Sequence, residues 1–100
     1  MLASLEVADQ RATRRRGLLG RDALDGALLL RPARSVHSFG MRFPLDVAWC
    51  DRDLMVLRIV HLPRHRMTRP VVRAHAVLEA EAGSFARWGL SVGDQLETQD

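Results

Sequence analysis

The stretch from Leu45 to Val60 constrains the fold of this chain more than any other. Two apolar runs, Leu45 to Cys50 and Leu54 to Val60, flank a polar Asp51-Arg52-Asp53. Short apolar runs on either side of such a turn read as a β-hairpin. Side chains alternate across a strand, so Leu45, Val47 and Trp49 share one face and Asp46, Ala48 and Cys50 the other. In the second run Met55, Leu57 and Ile59 oppose Val56, Arg58 and Val60. Both faces of the hairpin are largely apolar, which places it centrally, between covering layers.

The rest of the chain supplies those layers. Leu5 and Val7 alternate with polar or small residues in a short strand over residues 2–8. Asp9 can cap a helix from Gln10 to Arg16, and Gly17 ends it. Ala27 to Arg31 is a short apolar strand stopped by Pro32. Val36 to Met41 reads as the next strand, with His37, Phe39 and Met41 on one face. Pro44 interrupts pairing because it lacks a donor. His61 to Val72 holds two prolines and three arginines and reads as an exposed loop. Arg73 to Glu81 is a strand with Ala74, Ala76, Leu78 and Ala80 on one face. Its other face mixes Val77 with Arg73, His75, Glu79 and Glu81. Ser84 caps one helical turn through Phe85 and Trp88, closed by Gly89, and Gln95 to Thr98 forms a last strand. The sum is one mostly β (α+β) domain over residues 1–100. Its expected form is a small β-sandwich or barrel-like domain with one main N-terminal helix and one short helical turn.

Charge narrows the function classes. All 15 basic Lys+Arg positions are arginine, yet the formal net charge is only +3. The high pKa of arginine lifts the isoelectric point without adding charge at neutral pH. A coding bias toward arginine explains this more simply than a nucleic-acid footprint. The lone Cys50 has no internal disulfide partner, fits a reducing compartment and sits in an apolar strand as a buried thiol. No basic region followed by an apolar one opens the chain, and no apolar run reaches the ~20 residues of a membrane span. A cytoplasmic protein is expected.

Several blocks, in order, resemble the DUF192 family, also called UPF0127. They are Arg16-Gly17-Leu18-Leu19-Gly20-Arg21, then Ala27 to Leu30, then His37-Ser38-Phe39-Gly40-Met41-Arg42-Phe43-Pro44-Leu45-Asp46-Val47. Val77-Leu78-Glu79-Ala80 with Ala82-Gly83, and Gly89-Leu90 with Gly93-Asp94, complete the series. Ser38 stands where threonine is common in the family and keeps the hydroxyl. The resemblance implies a small, mostly β domain, compact and sandwich- or barrel-like, with one main helix. It implies no activity, because the family is defined by sequence and not by a reaction.

The candidate site residues are His37, Ser38, Arg42, Asp46 and Glu79. A histidine beside two carboxylates and an arginine can serve as acid, base and anion clamp. The plainer reading is a structural network in which buried carboxylates find donors. Asp46 in particular is expected to be structural first, accepting backbone amides near the bend at Pro44 as in an Asx turn. The preferred function is a non-catalytic module that binds a small polar or anionic ligand near Arg42 and the His37 face. The alternatives are a small hydrolase or lyase using His37 with Asp46 or Glu79, and nucleic-acid binding through Arg64, Arg66, Arg69 and Arg73. The last is disfavoured because no aromatic residue is interleaved with that loop. No metal and no cofactor are expected. His61 and His65 have helical ligand spacing, but Pro63 lies between them, and no phosphate loop or nucleophile elbow is present.

Overall fold

Apolar side chains on both faces of the central runs demand cover on both sides, and that demand organises the molecule. The computed structural model describes residues 5–8 and 27–96. In chain order the elements are β1 (Leu5–Ala8), β2 (Ala27–Leu30), β3 (Leu45–Cys50), β4 (Val56–Leu62), β5 (Ala76–Glu81) and a short helix α1 (Ser84–Trp88). The strands form one five-stranded sheet in the order β1-β2-β5-β3-β4. β1 pairs with β2 in parallel, and every other neighbouring pair is antiparallel.

The expected hairpin is β3 and β4, with the second strand starting at Val56 and a bulge between Trp49 and Cys50. Asp51 builds its turn. One carboxylate oxygen accepts the amides of Asp53 at 2.9 Å and Met55 at 3.0 Å. β3 is buried along its whole length, between β5 and β4.

Two apolar layers flank the sheet. On the first face Leu28, Leu45, Val47, Trp49, Leu62 and Val77 pack with Met41, Phe43 and Ala74. On the second, Leu29, Ala48, Cys50, Val56, Leu78 and Ala80 pack with Leu54, Phe85 and Leu96. The second layer is closed by α1 and the segment beyond it. The first is closed by a ribbon of two arms, residues 31–43 and 63–75, that run antiparallel over the sheet. Ala33 N–H donates to His75 O at 2.9 Å, Val71 N–H to Arg34 O at 3.0 Å, Thr68 N–H to Val36 O at 2.9 Å and Ser38 N–H to Arg66 O at 2.7 Å. Ala33, Val36 and Val71 press inward from these arms.

The structure corrects the expected architecture in several places. Among the described residues the sheet is open, with no barrel closure and no second sheet to make a sandwich. The ribbon takes the place of that second sheet. Pro32, Pro63 and Pro70 remove amide donors from its arms, so it pairs at scattered points and not as a ladder. The expected strand Val36 to Met41 is reduced to a single bridge between His37 and Met67. Gly40, at φ 76°, turns the chain directly after it. Among the described residues the helix lies near the C-terminal end of the chain and not the N-terminal end. The expected helix Gln10 to Arg16 falls outside the described residues. The expected strand from Gln95 shows a bridge between Met55 and Gln95, and its last residues also fall outside.

Candidate functional site

β3 and β5 carry the two buried carboxyls, and strand alternation sends them to opposite faces. Asp46 pairs across the ladder with Ala80, while its neighbour Val47 pairs with Glu79. Asp46 therefore faces the layer of Ala48, Ala80 and Phe85, and Glu79 faces the layer of Val47, Leu28 and Val77. The sheet stands between them.

Asp46 is 9 % exposed and tied down through one carboxylate oxygen. Its Oδ2 accepts the amides of Gly83 at 2.9 Å and Phe85 at 3.1 Å. These belong to the N-cap and second residue of α1. A helix start leaves such amides without intrahelical partners, and here a distant aspartate supplies the acceptor. Gly83 sits at φ 95° and makes no side-chain cap of its own. The expected cap, Ser84, is instead buried inside the first turn, where its hydroxyl accepts from Arg87 Nη2 at 3.1 Å. The donors to Asp46 thus come from 37 and 39 residues away, not from the bend at Pro44. Its nearest histidine is its cross-strand partner His61, with Nδ1 3.9 Å from Oδ1.

Glu79 is 4 % exposed, among Leu28, Val47 and Val77. Burial pushes its carboxyl up to about 8, so it is largely neutral at pH 7. Cys50 is similarly inert. Burial, followed by the charge of Asp51, pushes its thiol up to about 12.

His37, Ser38 and Arg42 ride on the ribbon. Ser38 is fully buried and serves as its central knot. Its hydroxyl accepts from Arg66 N–H at 2.9 Å and has Pro63 O and Arg66 O as acceptors. Its carbonyl accepts the amides of Met41 and His65, both at 3.1 Å. Arg64 fastens the same corner, its Nε donating to Met41 O at 2.8 Å. His37 and Arg42 are exposed. The His37 Nδ1 accepts from Phe39 N–H at 3.2 Å, and the His65 Nδ1 accepts from Gly40 N–H at 3.3 Å. A neutral imidazole that accepts at Nδ1 carries its proton on Nε2. Both rings thus offer Nε2–H donors at the tip of the ribbon, which suits an anion or a lone pair and not a metal ion. Among the described residues no group of three or more His, Cys, Asp or Glu is placed to hold a metal.

The five candidates therefore do not converge. His37, Ser38 and Arg42 share the ribbon, Glu79 lies in the sheet face that the ribbon covers, and Asp46 is on the far side. Sequence reasoning missed Phe39, His65 and Met67. Phe39 is 47 % exposed and stacks on His37, with ring centroids 5.3 Å apart and planes at 23°. Met67, 65 % exposed, bridges His37 from the other arm. The only sequence signal for them was the placement of His37 and Phe39 on one face.

Known proteins share this architecture. The family model described as DUF192, uncharacterized ACR, matches residues 2–98. None of the curated proteins compared matches the chain. Two solved structures match closely. One is a protein of unknown function from Novosphingobium aromaticivorans DSM 12444, with 26 % identity and a TM-score of 0.81, over 94 % of this chain and 74 % of that one. The other, from Sinorhizobium meliloti 1021, is described as a candidate transcription regulator. It shares 26 % identity at a TM-score of 0.79, over 93 % of this chain and 79 % of that one. Among the described residues, no helix is long and apolar enough to cross a membrane.

Proposed function

This chain belongs to the DUF192 family, and from that premise we propose that its domain is a non-catalytic binding module. The ligand is small and polar or anionic, and it is held on the ribbon near Arg42 and His37. One observation carries the reading. From Arg31 to Leu45 and from Leu54 to Leu78 the sequence contains no Asp or Glu, and the ribbon is built from these stretches. Arg34, Arg64, Arg66 and Arg69 and the His37 and His65 imidazoles are exposed along these stretches, which carry no carboxylate of their own.

The same geometry gives a hydrolase or lyase little to work with. That chemistry needs an imidazole and a carboxylate within about 3 Å of each other. Asp46 is across the sheet from His37 and spends one oxygen on helix α1. The His37 Nδ1 is occupied by Phe39 N–H.

Chemical-shift mapping with inorganic phosphate and a panel of carboxylate and phosphate metabolites tests the binding reading. The expected shifts fall on amides of residues 37–42 and 64–69. Shifts confined to the Asp51 turn or to α1, or no shifts at millimolar ligand, overturn it.

A further inference from the structure

We propose that the outer face of the ribbon is a binding track for single-stranded nucleic acid, with backbone phosphates on Arg64, Arg66 and Arg69 and a base stacked on the Phe39–His37 pair. The proposal rests on the anion-binding reading above and extends it from a single small anion to a chain of linked phosphates.

Three features meet at one place. The first is charge. Arg64, Arg66 and Arg69 are exposed on one arm, Arg34 is exposed on the other, and no acidic residue interrupts either. Phosphate contacts from such a face supply affinity without sequence preference. The second is an aromatic platform, the feature whose absence from the loop sequence disfavoured nucleic acid. The ribbon supplies it from the other arm. Ser38 N–H donates to Arg66 O at 2.7 Å and His37 bridges Met67, which brings the segment of Phe39 and His37 against the arm that carries the arginines. The two rings are already stacked, so the π surface is pre-ordered and half open to solvent. Base–aromatic stacking tolerates any base. The third is rigidity. The buried Ser38 hydroxyl and the Arg64 Nε bond to Met41 O fix the corner that presents these groups. An anionic membrane would favour a projecting apolar tip. Here the exposed apolar residues Phe39, Met67 and Val72 are strung along the ribbon among arginines, a spacing suited to a polymer that alternates charge and ring.

Fluorescence anisotropy of the full chain with a labelled oligouridylate tests this, with a duplex, heparin and phosphatidylserine vesicles as competitors. The expected result is binding at low salt that weakens steeply as salt rises, by about 0.7 in log K per log salt for each phosphate contacted. Phe39→Ala should weaken binding about ten-fold without moving the melting temperature. The pair Arg66→Gln and Arg69→Gln should lower the salt slope by about 1 to 2 units. Arg52→Gln, in the hairpin turn with Asp51 and Asp53, should bind as the parent does. No binding at low salt, or a folded Phe39→Ala that binds as tightly as the parent, overturns the proposal. So does displacement by vesicles, or by heparin as readily as by unlabelled oligouridylate. If phosphate shifts the ribbon amides while oligouridylate does not bind, only the nucleic-acid proposal falls. If neither ligand touches the ribbon, the anion-binding reading falls with it.

Discussion

Asp46 and Glu79 sit at neighbouring positions on adjacent central strands, both nearly sealed from water, and the fold treats them in opposite ways. Asp46 faces the start of a helix and meets two amides that need an acceptor. Glu79 faces Leu28 and Val47, and burial alone pushes its carboxyl up to about 8. Burial is the same for both. What differs is the supply of donors on each side of the sheet. A buried acid is a structural bolt where unpaired amides face it, and a neutral, costly guest where only methyl groups do.

Removing the bolt should have the largest effect. Asp46→Ala leaves the Gly83 and Phe85 amides without an acceptor, at a cost of about 3 kcal/mol. That is a large share of the 5 to 15 kcal/mol typical of a whole domain. Denaturant unfolding should show a much lower midpoint with an unchanged slope, and Asp46→Asn should recover part of the loss. A parent-like midpoint for Asp46→Ala would mean that water caps α1 just as well.

The opposite sign is expected across the sheet. The native state holds Glu79 protonated up to about pH 8, whereas the unfolded chain releases that proton near the ordinary value of 4.5. Between those limits the unfolded state binds fewer protons, so stability falls as pH rises, and it levels off above about 8. The loss accumulated by neutral pH is about 3 kcal/mol. Glu79→Gln should remove the fall. Unfolding midpoints at about pH 5 and about pH 8.5 should converge in the variant, and it should be the more stable protein at the higher value. A parent whose stability is flat over this range would show that Glu79 has found a compensating donor.

Much of this contrast was legible in the sequence, and the missing parts have physical causes. Alternation along Leu45 to Cys50 and along Arg73 to Glu81 placed Asp46 with Ala48 and Glu79 with Val77. The two-sided burial of the hairpin followed from its apolar faces. The relative register of the two strands was not legible, because it depends on pairing between residues far apart in the chain, Asp46 with Ala80 and Val47 with Glu79. Without that register Asp46 and Glu79 looked like partners. The donors to Asp46 were sought next to Pro44, since local amides are all that a sequence displays. The ribbon was hidden for a similar reason. Each arm alone reads as a strand or a loop, and only their antiparallel pairing at His37 and Met67 brings Phe39 beside the arginines.

A smaller effect should come from the helix side of the same bolt. Gly83 has φ 95°, and an added Cβ would meet Arg87 Nη1 at 3.3 Å. The guanidinium end is flexible and can give way, so backbone strain is the main cost, about 1 kcal/mol. Gly83→Ala should therefore destabilise less than Asp46→Ala while keeping both amide donors. A cost as large as that of Asp46→Ala would show that the conformation at Gly83, and not the carboxylate, holds the start of α1.

The smallest expected effect is the one that decides whether the two regions are independent. Asp46 and Glu79 are close along the sheet, and residues that share partners commonly couple by 0.5 to 3 kcal/mol. These two share none. Asp46 spends one oxygen on α1 and has the other near His61, whereas Glu79 is packed among Leu28, Val47 and Val77 on the other side of the backbone. A double-mutant cycle of Asp46→Ala and Glu79→Gln should thus give a coupling below about 0.5 kcal/mol, with the two opposite changes adding. The cycle needs measuring at both ends of the pH range. Near pH 5 Glu79 is neutral in the native state, and so resembles glutamine in charge. Above pH 8 it ionises, and a charge one strand away from Asp46 should be felt if the sheet transmits it. Coupling that appears only at the higher pH would locate the communication in the electrostatics of the sheet. Coupling at both ends would instead show that removing Asp46 shifts the β3–β5 pairing, so that the two faces are one mechanical unit.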